Sequence, residues 1–154
     1  MFRVLFKNWC LFFAILVFAF ASAESLAQNN QIGQIFTKND ADVRFGSVIS
    51  SVSIPTNDLN SVLVNTVNFA MFKIINGSLF ILGDKRVVLS PPGGSVPDEM
   101  VLHLFSKSKV IELLSLGNSG YTVVENRQNV LTVTNGDYTL EVSMPCPPFC
   151  FTEE

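Results

Sequence analysis

The order of apolar and polar residues after position 31 predicts a chain built mainly from β-strands. Short runs rich in Val, Ile, Phe and Thr are separated by Gly, Pro, Asn and Asp, which is typical of strands joined by turns. Asp40 and Asp42 are expected in a turn between the first two strands. The predicted strands are 32–36, 43–54, 69–75, 78–82, 86–90, 100–105, 121–125, 130–134 and 138–143.

Two Asn-Gly pairs predict β-hairpins. Asn76-Gly77 and Asn135-Gly136 each lie between two of the predicted strands. Asn-Gly favours the type I′ turn, because both central residues of that turn need a positive φ. We therefore expect the same turn type at both places.

Two segments have the apolar spacing of an amphipathic helix. The first covers 57–67 and has apolar residues at i, i+3, i+4 and i+8. The second begins after Ser106 or Ser108, either of which can cap it, and Gly117 is placed to end it. The apolar stripes consist of Leu59, Val62, Leu63 and Val67 in the first helix and of Val110, Leu113 and Leu114 in the second.

These elements predict an α+β fold, in which two helices cover one face of a mostly antiparallel sheet. Each half of the chain reads strand, helix, strand, strand, strand, and a loop rich in Pro and Gly at 91–97 separates the halves. Two similar βαβββ halves are one interpretation. Coincidence is the other, because alternation before an Asn-Gly turn is common to hairpins. If the helices do not form, a β-sandwich is the alternative fold.

The first 23 residues have the layout of a secretory signal peptide. Arg3 and Lys7 precede an uncharged apolar run, and 21–23 supplies small residues at the expected cleavage point. The run 9–23 has 15 residues, fewer than the roughly 18 that a candidate membrane span needs. We therefore expect cleavage, and export to the periplasm or out of the cell. The alternative is a leader that remains as a membrane anchor.

Beyond the leader, the sequence predicts a polar segment at 24–31, one α+β domain at 32–144, and a C-terminal hook and tail at 145–154. The chain has 10 basic and 13 acidic residues. Removal of Arg3 and Lys7 with the leader leaves 8 − 13, a net charge of −5. This balance argues against a nucleic-acid partner. No other apolar stretch is long enough to span a bilayer, so no stable span is expected after cleavage.

Cys146 and Cys150 are the sharpest local feature of the chain. Cys10 leaves with the leader, so these are the two cysteines of the mature protein, and an even pair in an exported chain predicts a disulfide. A bridge requires the two Cα atoms to lie about 4.4–6.8 Å apart, so the intervening Pro-Pro-Phe segment must bend sharply. Redox-active thiols and a metal site are the alternatives. His103 is the only histidine, which leaves a zinc ligand set incomplete.

The sequence offers no assembled catalytic motif. Ser106 and Lys109 have the S-x-x-K spacing of serine acylases, but the S-D-N and K-T-G elements that accompany it are absent. There is also no G-x-S-x-G elbow, no Walker loop and no G-x-G-x-x-G fingerprint. We therefore expect a non-enzyme that carries neither a cofactor nor a metal ion.

The expected function is that of a small exported binding or structural module. Its partner is expected to be another protein or a component of the cell envelope, and Phe149 and Phe151 beside the disulfide are the candidate contacts. The alternative is an exported thiol-redox or metal-handling protein that uses Cys146 and Cys150.

Overall fold

The computed structural model describes residues 31–128 and 130–150, so the predicted signal peptide and Phe151 lie outside the described residues. The described residues contain three helices: α1 (Lys38–Phe45), α2 (Thr56–Leu63) and α3 (Lys107–Gly117). A 3₁₀ turn covers Asp84–Arg86. The strands are β1 (Gln34–Thr37), β2 (Val48–Pro55), β3 (Phe69–Ile75), β4 (Ser78–Leu82), β5 (Val88–Ser90), β6 (Leu102–Ser106), β7 (Tyr121–Arg127), β8 (Val130–Asn135), β9 (Tyr138–Glu141) and β10 (Met144–Cys146).

The strands form two antiparallel sheets of five strands each. Sheet A has the order β1-β9-β8-β7-β2, and sheet B has the order β10-β6-β3-β4-β5. The predicted α+β class with mostly antiparallel sheet is therefore confirmed, and the pure β-sandwich is not formed because α2 and α3 fold as helices. None of the helices within the described ranges is long and apolar enough to cross a membrane.

The two halves of the chain exchange their first strands. β2-α2-β3-β4-β5 and β6-α3-β7-β8-β9 follow the same order of elements. The first strand of each half pairs with the second strand of the other half: β2 pairs with β7, and β6 pairs with β3. The three later strands of each half form a meander. The same pairing rule thus holds in both halves, while β1 and β10 extend one sheet each.

One apolar core joins both sheets to α2 and α3. The apolar stripes of the two helices point into it as far as the helices extend, and Leu59, Leu63, Val110 and Leu113 are fully or almost fully buried. Val67, which the prediction included in the first stripe, lies beyond α2 and is 77% exposed. Phe72 and Phe105 contribute from sheet B and meet edge to face, with ring centroids 6.0 Å apart. The sheet A residues of this core are Val124, Leu131, Val133 and Leu140.

A second, smaller apolar cluster lies on the opposite face of sheet B. The register β3–β6 pairs Met71 with Leu104, so both side chains lie on the face opposite to Phe72. Leu82 and Cys146 join this cluster, and Val96 from the Pro- and Gly-rich loop packs against it. Cys146 therefore belongs to the packed interior.

The first predicted turn is a helix. The prediction placed Asp40 and Asp42 in a turn and began a strand at 43, but α1 runs to Phe45 and β2 begins only at Val48. Thr37 caps α1, accepting a hydrogen bond from the Asp40 backbone N–H at 3.2 Å. Among the residues of α1 only Ala41 is buried, so the helix lacks the apolar stripe by which it could have been predicted.

The helix α2 is shorter than predicted because a carboxylate holds the chain that follows it. The prediction extended the helix to 67, whereas α2 ends at Leu63. Asp84 accepts hydrogen bonds from the backbone N–H groups of Val67 at 2.6 Å and of Phe69 at 3.0 Å. Those amides are fixed in a turn around the carboxylate and do not continue the helix.

The two Asn-Gly pairs form different turns. In the first hairpin Asn76 and Gly77 have φ values of 50° and 78°, as a type I′ turn requires. In the second hairpin Asn135 pairs with Tyr138, so the loop is Gly136-Asp137 and positive φ occurs only at Gly136. The expectation of a second type I′ turn is therefore wrong.

Asn135 stays in its strand because its side chain is bonded inside the fold. The amide nitrogen donates to the hydroxyl groups of Thr56 at 3.0 Å and Thr122 at 2.9 Å, and the amide oxygen accepts from the Ser119 backbone N–H. Gly117 lies against this residue so closely that an added Cβ would come within 2.2 Å of the Asn135 carbonyl oxygen. Glycine is thus required sterically where α3 ends.

Candidate functional site

The candidate site is the hook, defined as residues 145–150, whose first two residues are the last two of β10. β10 pairs with β6 in an antiparallel register, with Met144 opposite Leu104 and Cys146 opposite Leu102. A disulfide joins Cys146 to Cys150, with the Cα atoms 4.8 Å apart, so the predicted bridge is confirmed. The backbone N–H of Phe149 donates to the carbonyl oxygen of Pro145 at 3.1 Å. The hook is thus closed by one covalent and one hydrogen bond.

Arg86 fastens the hook to the body of the protein. Its guanidinium donates to the carbonyl oxygens of Cys146 at 3.0 Å, Pro97 at 3.0 Å and Met100 at 3.1 Å. Charged donors make stronger hydrogen bonds than neutral ones. Arg86 therefore ties the hook and the end of the Pro- and Gly-rich loop to the 3₁₀ turn beside sheet B.

The hook buries its sulfur side and exposes its aromatic side. Cys146 is completely buried in the smaller apolar cluster, and Cys150 packs against the same cluster. Phe149 is 55% exposed. An apolar ring displayed on a closed loop loses little conformational entropy when a partner covers it, because the backbone beneath it is already ordered.

Several other residues singled out from the sequence have structural contacts. Ser106 accepts a hydrogen bond from the Ile32 backbone N–H at 2.8 Å, and Lys109 pairs with Glu112 at 2.8 Å. The serine and the lysine of the S-x-x-K spacing therefore each have a separate partner. Asp40 belongs to the cap of α1, and Asp42 pairs with Arg127. In the described part of the chain, no group of three or more His, Cys, Asp or Glu residues is arranged to hold a metal ion.

His103 meets Ser143, a contact that the sequence did not predict. The ring Nδ1 lies 3.1 Å from the Ser143 hydroxyl, and the two residues come from β6 and from the link between β9 and β10. Burial and, to a smaller extent, the positive charge of Lys73 together lower the pKa of His103 from 6.5 to about 4. The imidazole is therefore neutral at neutral pH.

This histidine predicts a loss of stability in mild acid. Between pH 6.5 and about 4 the unfolded chain binds a proton at His103 that the folded chain does not bind. The free energy of unfolding should therefore fall by about 2–3 kcal/mol from this group as the pH is lowered through that window. Urea unfolding at neutral pH and near the acid end of the window should show that His103→Gln reduces the pH dependence by this amount.

Glu141 also contributes to the pH dependence of the free energy of unfolding. Burial raises its pKa, against the opposing effect of hydrogen bonds from the Val142 and Ser143 backbone N–H groups. Because its pKa is raised in the folded state, Glu141 makes the free energy of unfolding rise as the pH falls, which is opposite to the effect of His103. The parent protein and His103→Gln both carry Glu141, so its effect cancels when the pH slopes of the two proteins are compared. An unchanged pH slope in His103→Gln would contradict the assignment to His103.

A network of buried polar side chains lies on the outer face of sheet A. Arg127, whose side chain is fully buried, donates to Glu125 at 2.8 Å and to Asp42 at 2.7 Å. Thr132 and Thr134 donate to the same Glu125 oxygen, at 3.1 Å and 3.2 Å. Burial by itself lowers the pKa of Arg127, but hydrogen bonds and charge from Asp42 and Glu125 outweigh it and raise the pKa. The predicted strand ended at 125, whereas β7 continues to Arg127, and nothing in the sequence showed that the face of Glu125 and Arg127 is buried.

Comparison with known proteins adds no assignment to these observations: no family model, curated protein or solved structure matches the chain.

Proposed function

We propose that this protein is a small exported binding module that captures a protein partner through the hook. The observation that carries the proposal is the exposure of Phe149 on a loop that is closed by the disulfide and fastened by Arg86. Aromatic residues that insert into a pocket of a partner often dominate the binding energy of an interface. The exported location is supported by the signal-peptide pattern of the first 23 residues. A disulfide is also compatible with an oxidising compartment.

The arrangement of the disulfide supports a structural role for the two cysteines. Cys146 is fully buried and Cys150 is partly buried against the same cluster, so an attacking thiol has no access to the Cys146 sulfur and reaches the bridge only at Cys150. The bridge then serves to hold Phe149 in one place, and the chemistry of the site is contact with a partner rather than electron transfer.

Replacing Phe149 with serine should reduce partner capture at least about tenfold, because loss of an aromatic anchor at an interface costs about 2 kcal/mol or more. The measurement is photo-crosslinking in the producing cells, with a photoreactive phenylalanine analogue placed at position 149. The adduct defines the partner, whose affinity for the parent protein and for Phe149→Ser is then measured in solution. The thermal unfolding midpoint should be unchanged, since the ring is exposed.

Tyr121→Ser is the matched control, because Tyr121 is also an exposed aromatic residue but lies in sheet A, away from the hook. This variant should retain capture, and the photoreactive analogue at position 121 should give no common adduct. Equal capture by the parent protein and by Phe149→Ser would contradict the proposal. So would the same adduct from both positions.

A further inference from the structure

One of the four sheet edges in the described chain is long and open. β1 has four residues, whereas β5 and β10 have three each, and β10 contains a proline. β2 has eight residues and no charged side chain, with its single proline at the last position. Short strands, prolines and charges are the usual means by which proteins keep an edge from pairing with another strand. β2 has a β-bulge near its start and a proline at its end, and it lacks such protections between them, from 50 to 54.

The outward backbone groups of β2 can be assigned from the register. The Thr56 backbone N–H bonds to the Gly120 carbonyl in continuation of the β2–β7 register, so hydrogen-bonded pairs occur at even positions of β2. The N–H and C=O groups of Ser51 and Ser53 therefore point away from β7. Across residues 31–128 and 130–150 no backbone hydrogen bond reaches them, and both residues are exposed.

We propose that β2 is a homodimer interface, at which the β2 strands of two copies pair in antiparallel fashion across a two-fold axis. The residues of β2 favour a second copy of β2 as its partner. A strand added beside β2 must place uncharged residues next to Val52 and Ile54 on the inner face and small polar residues next to Ser51 and Ser53 on the outer face. β2 itself carries Ser50, Val52 and Ile54 on the inner face and Ser51 and Ser53 on the outer face, and because it is uncharged, no like charges meet when it pairs with itself.

The register of the pair follows from symmetry and from the position of a β-bulge. A two-fold axis perpendicular to the sheet keeps each face of the sheet continuous across the dimer. Such an axis must pass between two copies of the same residue, which then face each other. An axis at Ser53 would oppose Ser51 to Pro55, which has no N–H. An axis at Ser51 would oppose Ser53 to Ile49, the extra residue where the β2–β7 register shifts. An axis at Val52 pairs Ser51 of each copy with Ser53 of the other, and both residues lie in the regular part of β2, after the bulge and before the proline.

The dimer should be weak. A single strand pair buries less than the roughly 1,200 Å² that stable complexes usually bury. We therefore expect a monomer–dimer equilibrium that sedimentation velocity detects as the concentration of purified protein is raised. The second readout is amide hydrogen exchange. The Ser51 and Ser53 amides should be protected only at high concentration, whereas those of Val52 and Ile54, which face β7, should be protected at every concentration.

Charge variants give the decisive test. Ser51→Lys with Ser53→Lys places lysines opposite lysines in the dimer, so the dissociation constant should rise at least about tenfold. The same protein mixed with Ser51→Glu, Ser53→Glu should form a heterodimer, because each lysine then faces a glutamate. Ser95→Lys with Ser108→Lys, two exposed positions away from β2, is the control and should dimerise like the parent.

The proposal is overturned by a protein that stays monomeric at every concentration. It is also overturned by a dimer in which the Ser51 and Ser53 amides exchange as fast as in the monomer, or by a dimer that the lysine pair leaves unchanged. Ser53→Pro is a second blocking variant, since it removes an N–H that makes no bond within the monomer. It should abolish the dimer while the thermal unfolding midpoint changes little.

Discussion

Replacing Arg127 with methionine is expected to lower the free energy of unfolding by about 3–5 kcal/mol, as breaking a buried ion pair does when one partner is left behind. Glu125 is 6% exposed and would be left without the guanidinium that pairs with it. The Gly46 carbonyl would also lose its Arg127 donor. Urea unfolding of the two proteins at neutral pH measures the difference.

A double variant separates the ion pair from the shape of the side chains. In Glu125→Gln with Arg127→Met neither charge remains, and the glutamine amide oxygen can still accept from Thr132 and Thr134. We expect the double variant to recover more than half of the lost stability, so that the two substitutions are strongly non-additive. Asp42→Asn should cost less than about 1 kcal/mol, since the Asp42 side chain is 52% exposed. A loss below about 1 kcal/mol for Arg127→Met would show that the network is not an energetic unit.

Replacing Asp84 with asparagine should lower the free energy of unfolding by about 2–4 kcal/mol, because charged acceptors contribute more than neutral ones and several donors share this carboxylate. The backbone N–H groups of Val67, Asn68 and Phe69 all donate to it, and so does the Thr66 hydroxyl. An asparagine NH₂ group would face backbone donors on one side and could accept from none of them. Asp98→Asn, at an exposed position in the loop before β6, is the matched control and should change stability by less than about 0.5 kcal/mol.

The effect of Asp84 should depend on pH in a defined direction. Burial by itself raises the pKa of Asp84, but the hydrogen bonds from Val67, Asn68, Thr66 and Phe69 outweigh it and lower the pKa below 3.8. A lowered carboxyl pKa contributes stability that is fully present above the unfolded value and disappears as the pH falls through the folded value. The difference between the parent and Asp84→Asn should therefore be constant near neutral pH and shrink in strong acid. A difference that grows on acidification would contradict this account.

Elements that depend on local patterns were predictable from the sequence. The stripes of α2 and α3, the Asn76-Gly77 turn and the disulfide between Cys146 and Cys150 follow from spacing within a few residues. By contrast, α1 carries no apolar stripe, because it is fixed by the Thr37 cap and by the pair of Asp42 with Arg127. Its residues therefore gave no periodic signal.

Features that depend on distant residues were not predictable. Asn135 is followed by a glycine, which is the pattern of a type I′ turn. Its side-chain amide, however, bonds to Thr56, which precedes it by 79 positions. Arg86 was predicted to begin a strand after a turn. Its hydrogen bond to the Cys146 carbonyl oxygen was not predictable, because 60 positions separate the two residues. The division into two sheets likewise requires β2 to find β7 across the intervening chain, which no local pattern specifies.

The exchange of first strands has a consequence for how the protein is made. When synthesis has reached the loop at 91–97, β6 and β7 have not yet been made. β2 then lacks its partner strand and β3 lacks one of its two, so neither sheet can be completed. Contacts between residues far apart in sequence slow folding, and they leave apolar strands unpaired in the meantime. We therefore expect the nascent first half to depend on a chaperone until residue 127 has emerged, and a chain truncated after the loop to be degraded rather than to persist as a half-domain.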